Sequence, residues 1–462
     1  MISFLLSILA LVLGYFIYGK MVEKIFGADE NRATPAKEIN DGVDYVEMDW
    51  KKVFLIQFLN IAGLGPIFGA IAGALWGPIA FLWIVLGSIF AGAVHDYFAG
   101  MLSVRHGGET IAEIVGRYLG IGAKNLMRIF SVVLLILVGV VFINGPAGLL
   151  QSMTGINKFI FLGIIIVYYL LATVLPVDKL IGKVYPIFGA ALLIMGVGIM
   201  GGLFIKGYTI PEIALTNLHP SQKSIFPFLF ITIACGAISG FHATQSPIMA
   251  RCIKNEKEGR RVFYGSMIAE GIIALIWAAA AMSFYGGTEG LAGAGSAAVV
   301  VNDISTTLMG TVGGVLAVLG VVAAPITSGD TAFRSARLAL ADAFNMKQDK
   351  IKSRFVIAIP LFAIGVSLCF IDFTIIWRYF AWSNQTLATI VLWTSAVYLY
   401  KNKKNHWIAT IPATFMTAVI TSYILVAGEG LGLGENIGIP VGIACAVIAF
   451  AVFMNKTRKS LA

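Results

Sequence analysis

The run Phe58–Gly77, FLNIAGLGPIFGAIAGALWG, lies in an apolar stretch long enough to cross a bilayer. It nevertheless carries Ala62-Gly63-Leu64-Gly65-Pro66 near its middle. Glycine is a poor helix former, and proline lacks a backbone donor and clashes with the preceding turn. Inside hydrocarbon a broken helix survives only where protein or a water-filled cavity surrounds the freed backbone groups. Secondary transporters build their substrate sites from helices broken at mid-depth. Whether a second break exists decides whether this chain follows that plan.

Of the 462 residues, 58% are hydrophobic and 12% charged, and the mean hydropathy is +0.87. Soluble domains carry about 25% charged residues, so the chain is expected to be an all-α polytopic membrane protein. A spanning helix needs about 20 mostly apolar residues. Thirteen candidates follow in order, at roughly 2–19, 52–75, 78–101, 126–149, 157–176, 184–205, 225–250, 263–285, 309–333, 354–372, 378–400, 407–427 and 437–454. The first lacks a basic leader and a small-residue cleavage site, so it is expected to be retained.

The basic residues test this count. With the loop RCIKNEKEGRR (Arg251–Arg261) in the cytoplasm, 29 of the 33 Lys and Arg fall on the cytoplasmic side. Only Lys158, Lys206, Lys223 and Arg378 fall on the other. That asymmetry follows the positive-inside rule. It places the N-terminus outside and the C-terminus in the cytoplasm. It also accounts for the net charge of +9 without nucleic acid. The four cysteines show no metal or disulfide spacing. No GxxxxGK[ST] loop is present, which argues against a self-contained ATP-driven pump. Residues 20–50 read as a polar connection and 105–122 as an amphipathic segment. Residues 286–306 read as an external loop with one interfacial helix, and 334–353 as a basic continuation of helix 9.

The second break falls in helix 7, IFPFLFITIACGAISGFHATQSPIMA (225–250). Gly236, Ser239 and Gly240 interrupt it, and His242, Thr244, Gln245 and Ser246-Pro247 follow. Helix 7 comes five helices after helix 2, and an odd offset reverses its direction. Two sets of five helices in inverted orientation, each opening with a broken helix, are the mark of an inverted-repeat transporter. The expected division is 52–206 (helices 2–6) and 225–400 (helices 7–11). Residues 1–51 would supply a peripheral helix plus a cytoplasmic connection, and 401–462 two further peripheral helices. Gly65-Pro66 and Ser246-Pro247 both suit the start of a half-helix, with proline at its first position. Such a start offers unpaired N–H groups to an anion. Gly63, Gly65, Ser239 and Gly240 are therefore substrate-site candidates.

Polar groups inside the bilayer are costly, so each is a candidate for function. Gln57 and Asn60 precede the first break on one helix face, and His242 and Gln245 share the same spacing in helix 7. These pairs can contact substrate or bond a neighbouring helix. Asn384 and Gln385, in the run Ser383-Asn384-Gln385, are expected to face the interior. Thr327, Ser328, Asp330 and Thr331 gather oxygen ligands on helix 9, where Asp330 either carries a coupling ion or pairs with Arg334. His95 and Asp96 either relay protons or fix helix packing. Glu270 is a lone carboxylate in helix 8, and Asn144 reads as packing. No metal or cofactor beyond a coupling H⁺ or Na⁺ is expected. The expected partners are a small-molecule substrate and the lipid bilayer, with no nucleic acid.

The runs FLNIAGLGPIFGAIAGALWGP, GSIFAGAVHDYFAGMLSVRHGG, SGFHATQSP and WSNQT (Trp382–Thr386) resemble the carbon starvation protein A family across nearly all of helices 2–11. The resemblance implies a LeuT/APC-like transporter of a bacterial or archaeal plasma membrane, and no catalytic residues. It implies uptake of peptides or of pyruvate, the latter proton-coupled, in response to carbon limitation. Many members of that family are longer. The alternatives are a Na⁺-coupled peptide or amino-acid permease, a channel, or a membrane sensor.

Overall fold

The computed structural model describes residues 1–42, 44–172, 178–344, 346 and 350–459, and every regular element among them is helical. The helices are α1 (Ile2–Phe26), α2 (Trp50–Ile61), α3 (Gly65–Gly73), α4 (Ile79–Arg105), α5 (Ile111–Leu119) and α6 (Ile121–Thr154). Next come α7 (Lys158–Ala172), α8 (Asp178–Ile205), α9 (Phe228–Thr232), α10 (Phe241–Ala250), α11 (Arg260–Phe284) and α12 (Thr288–Gly293). The remainder are α13 (Ala297–Ala341), α14 (Ile351–Leu368), α15 (Phe373–Lys401), α16 (Trp407–Val426) and α17 (Glu435–Lys459).

Among the described residues, nine helices are long and apolar enough to cross a membrane, ten with the bent pair α2–α3. The chain is a multi-pass membrane protein. The gap from the thirteen expected runs has physical causes. The 225–250 run is split into α9 and α10, too short to qualify singly. The helix at 157–176 is described only as Lys158–Ala172, and its last four residues lie outside the described residues. The 378–400 run lies in α15, whose tryptophans and Ser-Asn-Gln stretch dilute its hydropathy.

Burial sorts centre from rim. Most of α4 and α11 is inside the protein, 78% and 83% of their apolar windows. For α1 and α17 the shares are 28% and 22%, and Ile2, Leu6, Phe16, Ile17, Val447 and Ile448 stand exposed where lipid would lie. Among the described residues a main apolar core runs through the protein, α1 included, and Leu59 with Ala324 forms a small second cluster.

Both expected breaks exist. Helix α2 ends at Ile61, Ala62 leaves helical geometry (φ −84°, ψ 49°), and α3 restarts at an angle of 49° with Pro66 in its first turn. The second gap is wider, Ile233–Gly240. Here one expectation is corrected: Ser246-Pro247 does not open the half-helix. Helix α10 begins at Phe241, and Pro247 sits inside it. The turn is already formed upstream, so the proline meets a helix long enough to absorb its missing bond.

A second correction concerns 286–306. Only six residues form the short α12, and helix resumes at Ala297. That helix is broken at Gly310, at φ 61° and ψ −144°, a conformation that glycine reaches without steric cost. Of the basic segment expected at 334–353, the part up to Ala343 continues the same helix, while residues 351–353 already belong to α14.

The broken segments cross at close range. A Cβ at Gly65 would stand 2.3 Å from Cys235 Cβ, and one at Gly240 would stand 2.3 Å from Asn384 O. The second contact is backbone and cannot swing aside. Gly240→Ala is expected to destabilise the protein by about 2 kcal/mol or more, in the range of overpacked cores. Gly163→Ala, on α7 with open space around it, should be neutral or slightly stabilising. Melting temperatures of the two purified variants in one detergent check this, and equal melting points would contradict the packing described.

Candidate functional site

In a low-dielectric interior each freed backbone group of the second break needs a partner. Side chains of two continuous helices supply them. From α4, Trp83 Nε1 donates to Ile233 O at 3.1 Å and Ser88 Oγ to Gly236 O at 3.0 Å. From α15, Gln385 Nε2 donates to Phe230 O at 2.6 Å. Asn384 does the most. Its Oδ1 accepts from Phe241 N at 2.7 Å, and its backbone O accepts from Gly240 N at 3.1 Å. Its Nδ2 reaches Ser239 Oγ at 3.0 Å and Cys235 Sγ at 3.2 Å. Asn384 thus caps the start of α10.

The first turn of α10 carries His242, and here four ionisable side chains meet. His95 Nδ1 lies 2.7 Å from Asp96 Oδ1, and His242 Nδ1 lies 2.8 Å from Asp96 Oδ2. His242 Nε2 lies 3.3 Å from Glu270 Oε2 on α11. That last pair is close enough for an ion pair but off the hydrogen-bond direction, so both Glu270 oxygens and His242 Nε2 remain without hydrogen-bond partners. All four side chains are fully buried. Asp96, on α4, bridges the two imidazoles.

The chemistry follows from the tautomers. Two Nδ1–H groups donating to one carboxylate leave both Nε2 atoms as acceptors when the rings are neutral. Two imidazoles and two carboxylates can be net neutral, which makes their burial tolerable. His95 Nε2, at the far end, also lacks a partner.

The other candidates fall around this centre. Gln57, on α2, donates to Ser246 Oγ at 3.3 Å, and Ser246 in turn donates to His242 O at 2.9 Å. The first broken helix is thereby tied to α10. Asn60 is half-buried one turn before the break, and Gly63 packs against the Phe142 ring. Gln245 is buried and donates to Thr244 Oγ1 at 2.9 Å.

The α13 group turns to its own helix. Thr327 donates to Ala324 O and Thr331 to Ser328 O, both at 2.7 Å. Asp330 lies 3.5 Å from Arg334. Ser328 Oγ is buried without a partner. Among the described residues no cluster of His, Cys, Asp and Glu could hold a metal ion. The sequence separated His242 from His95–Asp96 and left Glu270 alone. Its signal was that Glu270 is the one charged residue between Val262 and Phe284.

The cost of disturbing this cluster should track hydrogen bonds already made. Asp96→Ala removes the acceptor of two buried imidazoles and is expected to cost roughly 3 kcal/mol or more. Glu270→Gln, at oxygens without partners, should cost under about 1 kcal/mol. Melting curves of the purified variants compare them; a larger loss for Glu270→Gln would contradict the geometry.

An uncharacterized membrane protein of Haemophilus influenzae is 46% identical over 64% of this chain and 95% of its own length. The peptide transporter CstA of Escherichia coli is 25% identical over 89% of this chain and 78% of its own. The pyruvate/proton symporter BtsT of Escherichia coli is 28% identical over 57% of this chain, and the match covers 46% of that protein. The chain therefore spans about half of the length of BtsT. The named relatives are transporters, not enzymes. In fold, the chain is similar to inward-facing Mhp1 (TM-score 0.53, 14% identity, 88% of this chain and 91% of that one). It is also similar to a mutant of the Eremococcus coleocola manganese transporter (TM-score 0.54, 14% identity, 89% and 96%). The model of the carbon starvation protein CstA family matches residues 1–155, 146–290 and 278–423 in turn, and the chain belongs to that family.

Proposed function

We propose that this protein is a proton-coupled secondary active transporter that imports a small carboxylate such as pyruvate, or short peptides, across the plasma membrane. Its architecture is read as thirteen spans around a five-plus-five inverted repeat, residues 52–206 and 225–400. The N-terminus lies outside and the C-terminus in the cytoplasm, as the distribution of Lys and Arg supports. The substrate binds where the two broken helices cross, with its carboxylate toward the free N–H groups at the start of α3.

One observation carries the coupling: the buried chain His95–Asp96–His242–Glu270 joins a continuous helix, a broken helix and a second continuous helix. Ionisable groups inside a membrane protein mark proton relays and ion paths. A Na⁺ site would call for several oxygens converging on one point. The relay instead offers imidazole nitrogens, which suit protons. His242 adjoins the break, so its protonation and the seating of α10 are linked.

Proteoliposomes with an imposed pH gradient test this. Labelled pyruvate should accumulate when the outside is acidic, and a Na⁺ gradient alone should not drive it. Glu270→Gln should abolish gradient-driven accumulation while counterflow exchange stays within about threefold of the wild type, because exchange needs no net proton movement. Accumulation by Glu270→Gln equal to the wild type would sink the relay as the coupling site.

A further inference from the structure

The loop after α10, residues 251–259, carries a buried charge at the end where the basic loops gather. Glu256 is fully buried there, and both its oxygens face one guanidinium, Arg105 Nε and Nη2 donating at 3.0 Å each. Asp29 N adds a third bond at 2.8 Å. Arg105, the last residue of α4, also donates to Tyr398 OH of α15 at 2.6 Å. Its guanidinium carbon stands 4.0 Å from the centre of the Phe26 ring, at the end of α1. Two further bonds tie down the same loop. Met48 N donates to Cys252 O, and Arg251 Nε to Gly108 O, both at 3.0 Å.

These contacts hold both half-helices that run from the breaks toward this end. Helix α2 starts two residues after Met48, and α10 ends where the loop begins. Helix α10 packs on α4 and α15, so it cannot part from them at this end while Glu256 stays on Arg105. At the other end a cavity of about 430 Å³ opens beside the first broken helix, with Phe68, Gly148 and Lys158 in its wall. The distance between the two ends can be read along α6. Its Lys124 pairs with Glu113 of α5, and Tyr118 of α5 packs edge-on against Tyr398. From Lys124 to Gly148 the helix rises roughly 36 Å at 1.5 Å a residue, about the depth of a bilayer.

An arginine fork on a carboxylate is exact in geometry. Its net energy is modest, because desolvation of both charges offsets their attraction. When the loop lifts, both heads regain water together. Such a pair holds one state in register and still lets go.

We infer that Arg105 and Glu256 are an inner gate: their separation frees α10, opens a path from the broken helices to the cytoplasm, and is linked to closure of the outer cavity. The inference rests on the transport function and orientation proposed above, and it adds the residues that control release. A static staple would make the same contacts but would not respond to the far cavity.

Two thiols read the two ends. Cys252, in the loop, is 4% exposed and reports the loop's release. Gly148→Cys reports the cavity; a Cβ there has Ala298 Cβ as its nearest neighbour, at 3.6 Å, an ordinary contact. In inside-out vesicles a membrane-impermeant thiol reagent should label Cys252 about tenfold faster in Glu256→Gln than in the wild type, with Cys252→Ser as background. That factor is near 1.4 kcal/mol on the opening equilibrium. Arg105→Lys keeps the charge and loses the fork; it should give about threefold, and it carries the test if Glu256→Gln does not fold. A bulky maleimide fixed on Gly148→Cys from outside intact cells beforehand should cancel most of the acceleration, since linkage between the two ends is reciprocal. Unchanged Cys252 labelling in both variants overturns the gate. Acceleration that the maleimide leaves intact reveals a staple and overturns it as well. The expected labelling without counterflow of any acid or peptide would uphold the gating pair and overturn the substrate reading instead.

Discussion

The fold depends on a transfer of hydrogen bonds from backbone to side chain. Between Ile233 and Gly240 the chain gives up the helix that a bilayer would otherwise impose. Each orphaned amide in hydrocarbon costs several kcal/mol. Trp83, Ser88, Asn384 and Gln385 make the missing bonds. They come from α4 and α15, so the break fixes how those helices sit against α9 and α10. In this sense the conformation of one eight-residue stretch organises the centre of the protein.

The far end of α10 is fixed as firmly. In the loop that follows it, Glu256 is fully buried and accepts from Arg105 Nε and Nη2, each at 3.0 Å, and from Asp29 N at 2.8 Å. Arg105 also donates to Tyr398 OH at 2.6 Å and to Gly27 O at 2.7 Å. One charged pair thus gathers the ends of α1, α4 and α15 beneath α10. A fork-shaped guanidinium suits this, since it serves three acceptors in one plane. The large cavity lies at the opposite end, beside α3. The molecule is therefore latched at the end carrying the basic loops and open at the other.

Much of this was legible in the sequence where the signal was local. Gly65-Pro66 marks its own break, because the residues that end a helix stand at the end. The second break was legible in place but not in its register. Pro247 is the conspicuous residue, yet the half-helix starts six positions earlier, where Asn384 reaches Phe241 N, and no local pattern records a partner 143 residues away. The same holds for the relay. His95–Asp96 is visible as a pair, but His242 and Glu270 join it only through the packing of α4, α10 and α11. Asn144 reads as packing in one dimension, and the cavity it faces exists only once α7 and α13 bring Lys158 and a helix start opposite.

The relay also bears on how a solute and a proton can be linked without a leak. Asp96 belongs to the continuous α4 and His242 to the broken α10, and their hydrogen bond of 2.8 Å crosses between the two. Any displacement of α10 stretches that bond. On the proposed proton coupling, protonation of this chain and the position that α10 prefers are linked reciprocally. None of the four side chains touches solvent, so a proton can be exchanged with either side only after such a displacement. Gln57, bonded to Ser246 one turn along α10, carries the first broken helix into the same motion. On the transport reading proposed above, a substrate seated between the breaks would bear on α10 from the other face, and the two loads would act on one short helix of ten residues. Coupling then requires no contact between substrate and proton, only that both be felt by the same movable segment.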